Sequence, residues 1–268
     1  MEVVNQTPFP AIAWPTFDPT DTEYVTIVLR VKFLFDSVDD QGLWTLRFSQ
    51  DQEALFDTDI FYDEETNHVK YESDFTPYKR EGDLIINRPE TRVEHGKCGV
   101  EVLRYDLQGN SQVLLKHMSM RDLGFVHRSD TSRLQWTGTT DEEWIAYRAP
   151  KYPYDFNEKH YNAAHENMQL NGVYFEPGDL FVFHKLFPGP HKQMIMLPGV
   201  YPRATVVSGG IEKSLFLECD TVIVDIESLD MRENCIYVSY RNRLAVHHNV
   251  ERVIVDMQLE KALIEECA

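Results

Sequence analysis

The segment from Tyr24 to Phe35 constrains the fold more than any other part of the sequence. It reads YVTIVLRVKFLF, in which apolar residues hold every second position and Thr26, Arg30 and Lys32 stand between them. Alternation with a period of two is typical of a β-strand that places one face on the core and the other towards solvent. We therefore predict a long, half-buried strand here.

Shorter segments with the same alternation follow, and turn signals separate them. The strongest turn signals are residues 39–42 (DDQG) and 106–110 (DLQGN), which predict two hairpins. Further strands are predicted at 43–48, 97–105, 112–118, 179–186, 193–197, 215–217, 221–226, 235–241 and 252–257. Residues 258–267 have the spacing of a short C-terminal helix. The sequence thus predicts a mainly β protein, an antiparallel β-sandwich or a barrel-like fold with a short C-terminal helix.

A stretch rich in proline and tyrosine divides the chain near its middle. Residues 148–156 contain Pro150 and Pro153, which favour an extended linker. We therefore expect an N-terminal β lobe over 1–150 and a C-terminal β lobe over 151–268, which together form one unit. The alternation alone does not decide between two separate lobes and one continuous system of sheets.

The chain is strongly acidic. It has 26 lysines and arginines against 44 aspartates and glutamates, which gives a net charge of −18. Such a surface repels the phosphates of nucleic acids and of anionic membranes, so we expect neither as a partner. The charge fits a basic protein partner, and it equally fits a role in solubility alone.

The cysteines and the apolar segments indicate the compartment. Cys98, Cys219, Cys235 and Cys267 do not form a C-x-x-C pair. No apolar run reaches about eighteen residues, and the first residues do not have the pattern of a signal peptide. We expect a cytoplasmic protein with reduced thiols, in which Cys219 and Cys235 flank a predicted hairpin and could approach each other.

Motifs of known enzymes are weak in this sequence. Ser208 precedes two glycines, but the strand-turn-helix context of a catalytic serine is missing, so we expect a β-turn. His160 and His165 are separated by five positions, and a helix would point them about 140° apart, away from a shared metal ion. Acidic residues are so numerous that a carbohydrate-active hydrolase with two carboxylates from distant strands stays open as an alternative. A structural β module of a phage-tail-like assembly is a second alternative.

Two polar clusters stand out from the turns around them. The first runs from Ser73 to Lys79 (SDFTPYK), with Asp83 shortly after it, and the second runs from Tyr161 to Gln169 (YNAAHENMQ). Serine and aspartate cap turns, and Lys79 and Asp83 are close enough in sequence to pair across the turn. We interpret the first cluster as a rigid corner that ties a loop to a sheet, with direct partner contact as the alternative.

These clusters and the N-terminal segment resemble a bacterial family known as a domain of unknown function and encoded beside genes for type VI secretion spikes and effectors. The matching positions span nearly the whole chain in the same order, although His165 stands where the family has proline. The positions that match are Asn5, Thr7, Pro8, Phe9, Ser73, Asp74, Phe75, Pro77, Lys79, Asp83, Tyr161, Asn162, Ala164, Gln169, Leu197, Pro198, Gly199, Pro202, Asp220, Thr221, Val222, Tyr240 and Arg241.

The resemblance implies an adaptor, or chaperone, that binds the N-terminal part of a secreted toxin effector and helps to load it onto the spike. It implies the spike protein as a further partner, and it implies no catalytic residue, cofactor or metal. Aromatic residues are enriched at interfaces, but the aromatic run at 147–161 fits core packing equally well. The residues we expect to contact a partner are Tyr78, Lys79, Tyr152, Tyr154, Phe156, Tyr161 and His165. A structural role is expected for Asn5, Pro8, Phe9, Ser73, Asp74, Phe75, Pro77, Asp83, Asn162, Gln169, Pro198 and Gly199.

Overall fold

The fold is known from a computed structural model, which describes residues 1–61, 69–87, 98–119, 133–187, 192–228 and 230–260. Strands account for 52% of the structure and helices for 8%. The prediction of a mainly β protein is therefore confirmed. One apolar core, built from side chains of the two main sheets, lies inside the molecule.

The larger sheet contains ten strands and curls into a half-barrel. Nine of them follow one another across the sheet, and the tenth, β2 (Ala11–Phe17), pairs with one edge of β3. In spatial order the nine are β7 (Asp83–Asn87), β14 (Glu218–Asp225), β15 (Cys235–Ala245), β3 (Glu23–Val38), β4 (Leu43–Phe48), β11 (Lys192–Met196), β10 (Leu180–His184), β8 (Cys98–Tyr105) and β9 (Ser111–Ser119). Since β3 is sixteen residues long, β2 and β4 share its edge end to end.

The smaller sheets complete the strand inventory of the described residues. A sheet of four strands has the order β1 (Glu2–Asn5), β16 (Val250–Leu259), β12 (Val200–Ser208) and β13 (Ile211–Phe216). A third sheet pairs β5 (Ile60–Phe61) with β6 (Val69–Tyr71). Most strand pairs are antiparallel, whereas β1 with β16, β4 with β11 and β7 with β14 are parallel.

Helical structure is short among the described residues. The α-helix α1 (Glu142–Tyr147) starts at Asp141, whose carboxylate accepts a hydrogen bond from the Trp144 amide at 2.9 Å. Single 3-10 turns occur at Leu134–Trp136, Glu158–Tyr161, Glu166–Met168 and Met231–Glu233. No helix within these ranges is long and apolar enough to cross a membrane.

The C-terminal helix predicted for residues 258–267 does not begin where we expected it. Gln258 and Leu259 are the last residues of β16, where they pair with Tyr201 and Val200 of β12. Residues 261–268, and with them Cys267, lie outside the described residues.

The expected boundary at residue 150 does not divide the sheets. Strands β14 and β15, from the second half of the chain, pair with β7 and β3, from the first half. Likewise β11 pairs with β4, and β10 pairs with β8. Residues on both sides of position 150 therefore build the same large sheet.

Strand β3 is buried on both faces, which corrects the prediction of a half-buried strand. Thr26 and Arg30, which the alternation placed towards solvent, are both buried. The reason is tertiary, because residues from the segments after β4 and after β6 cover this face. The Arg30 guanidinium donates to Asp74 Oδ2 at 2.5 Å and stacks on the Phe56 ring at 3.9 Å.

Both predicted hairpins are present, but the β14–β15 hairpin separates the two cysteines that flank it. Cys219 lies opposite Tyr240 and Cys235 lies opposite Asp225, at the two ends of the pair. At about 3.3 Å a residue, this puts the two cysteines roughly 20 Å apart along the strands. The idea that Cys219 and Cys235 approach each other was therefore wrong, and both are buried free thiols.

Candidate functional site

The two polar clusters found in the sequence meet at Asp83. Asp83 Oδ1 accepts a hydrogen bond from Asn162 Nδ2 at 2.9 Å, and Oδ2 accepts one from the Ala163 amide at 2.8 Å. The Lys79 ammonium donates to the same Oδ2 at 2.9 Å. Gln169 bridges to the backbone of Asp83. One fully buried carboxylate thus joins segments that lie about eighty positions apart in the sequence.

Lys79 lies in the interior, which contradicts its expected role as a partner contact. Its side chain is buried, with the whole residue 1% exposed. Besides Asp83, its ammonium binds the Glu72 carboxylate and donates to Thr221 Oγ1 at 2.9 Å. A buried ammonium needs such acceptors because it has lost its water. Lys79 therefore holds the corner to β14 and is not available to a partner.

A second group of buried ions continues from this corner. Asp74 Oδ2 accepts from Arg30 and, at 2.8 Å, from the Phe56 amide. Arg241 donates to the Asp74 carbonyl oxygen at 3.2 Å and pairs with the Asp220 carboxylate. We call the combined set the polar network. It consists of Arg30, Glu72, Asp74, Lys79, Asp83, Asp220, Thr221 and Arg241.

The polar network holds four carboxylates against three cations, and this excess has electrostatic consequences. Burial raises the pKa of Glu72, and the cation of Lys79 only partly opposes it. Burial likewise raises the pKa of Asp74, opposed by Arg30. Burial lowers the pKa of Lys79, but the carboxylates of Asp83 and Glu72 outweigh it, so the pKa is raised. The lysine stays charged, and Oε2 of Glu72 is buried without a hydrogen-bond partner among the described residues.

The N-terminal motif forms a compact turn. Asn5 Oδ1 accepts hydrogen bonds from the amide and the hydroxyl of Thr7, and Asn5 Nδ2 donates to the Phe9 carbonyl at 2.7 Å. The turn carries the exposed Pro8 at its outside. Phe9 is buried against the Phe48 ring, with 5.1 Å between centroids. Asn5 and Phe9 thus anchor the start of the chain, as a structural role requires, whereas the structural role of Pro8 stays a prediction.

Other motif residues also hold loops in place. The Ser73 amide donates to Asp59 Oδ1 at 2.7 Å, and the Pro77 carbonyl accepts from Thr26 Oγ1 at 3.1 Å. Phe75 packs on the Trp14 ring at 5.2 Å.

The L-P-G segment connects β11 to β12. The Pro198 carbonyl accepts from the Val200 amide at 2.9 Å, and the Gly199 carbonyl accepts from the Glu260 amide at 2.9 Å. Pro198 therefore closes a turn within this connection, and Gly199 joins it to the residue after β16.

The aromatic run after α1 divides into packed and exposed residues. The rings of Tyr152, Phe156 and Tyr161 pack on one another, with centroids 4.5 to 6.2 Å apart. Tyr161 is buried, so it contacts its neighbours and not a partner. Tyr154, by contrast, is 81% exposed. His165 is exposed, and its Nδ1 accepts from the Asn167 amide at 3.3 Å.

Arg148 connects this aromatic run to the turn between β2 and β3. Its guanidinium stacks on the Tyr154 ring at 3.7 Å and donates to the Pro19 carbonyl at 2.5 Å. It also donates to Asp21 Oδ2 at 3.1 Å. The residues predicted as a linker, 148–156, are therefore attached to the body of the protein.

Helix α1 exposes large apolar side chains. Tyr147 is 87% exposed and Ile145 is 63% exposed, and no residue of the helix is buried. Leu134, shortly before the helix, is also exposed. We call Leu134, Ile145, Tyr147 and Tyr154 the exposed apolar set. A helix in a globular protein normally buries such residues, so these four are candidates for contact with another molecule.

A small polar cavity lies beside Tyr78. It has a volume of about 190 Å³ and is lined by Tyr78, Lys79, Tyr174, Glu218, Asp220, Arg241 and Asn242. The ring of Tyr78 packs on the Arg243 guanidinium at 4.1 Å, which in turn lies 4.4 Å from the Tyr24 ring. Sequence reasoning missed Tyr174 and Glu218, because neither stands in a motif and only the tertiary fold brings them to Tyr78.

A shallower depression of about 410 Å³ lies on the other side of Arg243, between the β2–β3 turn and residues 155–158. Its carboxylates already have partners: Asp18 accepts from its own turn, Asp155 from Thr139, and Glu158 from Arg243 at 2.7 Å. Within the described ranges, no three histidine, cysteine or carboxylate side chains are placed to share a metal ion.

Comparison with known proteins adds one match. The chain matches the model of a family described as "Uncharacterized protein conserved in bacteria (DUF2169)" over residues 116–232. This range includes the second polar cluster, the L-P-G segment and all of β14, but not the corner at 73–83. The resemblance to a bacterial family of uncharacterized proteins is confirmed to that extent. No curated protein and no solved structure matches the chain.

Proposed function

We propose that this protein is a cytoplasmic adaptor that binds a type VI secretion effector and helps to load it onto the spike complex. The exposed apolar set is the observation that carries the proposal. A protein that never binds another has little reason to keep Ile145 and Tyr147 on a helix without a single buried residue. Large aromatic side chains at such positions are frequent anchors of protein interfaces.

The location of the motif residues supports the same proposal. Asp74, Lys79, Asp83 and Asn162 are buried and satisfy one another, as residues that maintain a fold do. Of these four, Asp74, Asp83 and Asn162 do not line either described cavity, and the Lys79 ammonium is directed to Glu72 and Asp83. The net charge of −18 would speed association with a basic partner.

Co-expression with the product of the adjacent gene tests the proposal. We expect a stable complex, seen as one species of summed mass by light scattering, and a partner that becomes soluble only with this chain. In the variant Ile145→Ser/Tyr147→Ser, we expect binding to weaken by about tenfold or more, since interface anchors contribute at least about 1 to 2 kcal/mol each. The melting temperature should not fall, because neither side chain is buried in the free protein.

A matched control is available at the β8–β9 turn. Leu107 is fully exposed, and Leu107→Ser removes a similar apolar side chain far from α1 in the sequence. It should leave binding unchanged. Absence of a complex with any product encoded nearby, under conditions where both chains are folded, would contradict the adaptor function.

A hydrolase is the second candidate, and one observation favours it. Glu218 and Asp220 line the same cavity. Burial and the nearby Glu176 raise the pKa of Glu218, while Arg241 pairs with Asp220. Two carboxylates with different environments are what an acid and a base require. Hydrolysis of any substrate in a glycan and ester panel, lost in Glu218→Gln, would establish this function in place of the adaptor.

A further inference from the structure

The cavity beside Tyr78 is large enough for one long polar side chain. Its volume of about 190 Å³ corresponds to roughly six waters at about 30 Å³ each. Two tyrosines form part of its wall. Tyr174 donates from its hydroxyl to the Lys79 carbonyl at 2.6 Å and lies 3.4 Å from the Tyr78 hydroxyl. These contacts hold both rings in position before any ligand arrives.

The cavity carries one carboxylate that nothing in the described chain neutralises. Asp220 is paired with Arg241, and the Lys79 ammonium is directed to Glu72 and Asp83. The Glu218 side chain lines the cavity, is exposed to solvent, and has no ion pair or hydrogen bond among the described residues. Burial and repulsion from Glu176 raise its pKa, so its charged form is disfavoured in the free protein and would be stabilised by a cation.

The pKa of Tyr174 is also affected by the negative charges around the cavity. Burial and its hydrogen bond with Tyr78 raise the pKa of the Tyr174 hydroxyl, and Asp220 and Glu218 raise it further. The Tyr78 ring already carries the Arg243 guanidinium at 4.1 Å, so the attraction for a further cation comes from the carboxylates. The lining therefore favours a positively charged group over a neutral or negative one.

Arg241 lines the cavity but offers no free donor to a ligand. Its Nε has no hydrogen-bond partner among the described residues, yet this atom is buried and is not accessible from the cavity. Its other nitrogens pair with the Asp220 carboxylate and donate to the Asp74 carbonyl. Recognition of a cation in this cavity therefore depends on Glu218.

We infer that the cavity lined by Tyr78, Tyr174 and Glu218 binds a lysine or arginine side chain of a partner protein. The inference rests on the proposed function in one respect, that the partner is the effector. The ammonium or guanidinium group pairs with Glu218, and the aromatic rings contact the methylene groups beside it. The acidic surface of the adaptor then brings a basic segment to one defined position.

Titration with single blocked amino acids tests the cavity without any partner. The probes are N-acetyl-lysine N-methylamide and N-acetyl-arginine N-methylamide, and the uncharged control is N-acetyl-norleucine N-methylamide. We expect both basic probes to shift the backbone amide NMR signals of Tyr78, Tyr174 and Asn242. The tighter of the two identifies the preferred head group. Binding should weaken about tenfold in Glu218→Gln, since one charge-assisted hydrogen bond is lost.

Glu212→Gln is the matched control, because it removes the same charge from an exposed position on β13 that does not line the cavity. It should leave probe binding unchanged. Equal shifts with the norleucine probe, or equal binding by Glu218→Gln and the original protein, would overturn the inference.

The two proposals fail separately in the full complex. If the complex with the adjacent gene product forms equally well with Glu218→Gln, the inference about the cavity is refuted and the adaptor function is not. Specific binding of the basic probes without any complex refutes the adaptor function and leaves the cavity intact.

Discussion

Replacing Lys79 with methionine should destabilise this protein strongly, because it removes a cation from the centre of the polar network. Methionine keeps most of the volume and the length of the side chain. Glu72 and Asp83 remain buried and lose the ammonium that both contact. Breaking a buried ion pair by removing one partner costs about 3 to 5 kcal/mol. Against a total stability of about 5 to 15 kcal/mol for a typical protein, this is a large fraction.

The loss should depend on pH in a defined direction. Without the ammonium, the cation that opposes the effect of burial on Glu72 is gone, so the pKa of this carboxyl in the folded state rises further above its unfolded value. The protonated form is then favoured in the fold, so the associated stability is present at low pH and is lost as the pH rises. Carboxyl groups in the unfolded chain have pKa values of about 4. We therefore expect Lys79→Met to lower the free energy of unfolding less near pH 5 than near pH 8.

Urea unfolding followed by tryptophan fluorescence measures this deficit. Lys116→Met is the matched control, because Lys116 is mainly exposed and its pair with Glu101, at 2.6 Å, lies at the surface. Its loss should be below about 1 kcal/mol. A deficit below about 1 kcal/mol for Lys79→Met, combined with weaker partner binding, would refute the buried role and restore Lys79 as a contact residue.

Three further predictions concern the same interior. Burial raises the pKa of Glu72 above its ordinary value of 4.5, so the stability that this carboxyl contributes is lost as the pH rises. Glu72→Gln cannot ionise. In urea titrations, its free energy of unfolding relative to that of the original protein should therefore increase between about pH 4 and pH 8. Asn162→Ala should lower the free energy of unfolding by about 1 to 3 kcal/mol, because it removes two hydrogen bonds and leaves one oxygen of Asp83 without its donor. The control Asn167→Ala changes an exposed residue and should lower it by no more than about 0.5 kcal/mol. Equal losses in the two variants would contradict this prediction. Burial raises the pKa of Cys235 to about 12 and that of Cys219 well above its ordinary value. Both thiols should therefore react slowly with a thiol reagent in the folded protein and quickly in denaturant, as measured by peptide mapping. Rapid labelling of the native protein would contradict this prediction.

Local patterns in the sequence predicted most strands. The alternation at 24–35 marks the interior of β3, and the turn at 39–42 folds because Asp39 Oδ1 accepts from the amides of Gln41 and Leu43, both at 2.8 Å. Asp106 does the same at the β8–β9 turn. These contacts span at most four positions, so they depend on neighbouring residues alone.

The pairing of Lys79 with Asp83 was also within reach of the sequence, since the two residues lie four positions apart and face each other across a turn. Its burial was not. The sequence placed Lys79 at the surface with Tyr154 and grouped Tyr152 and Tyr161 with them. Nothing in the composition of that run distinguishes the ring that packs from the ring that stays exposed.

Only the tertiary structure decided which polar residues are interior. The alternation in β3 assigned Arg30 to solvent, yet a loop folds over it and supplies Asp74 as its partner. Likewise, Asp83 reaches Asn162 and Glu218 reaches Tyr78 only because distant strands come together. The physical reason is that a charged side chain can be buried wherever a partner satisfies it, and its partner here comes from a distant part of the chain. Periodicity records the spacing of apolar residues along a strand, whereas these pairs depend on which strands and loops become neighbours.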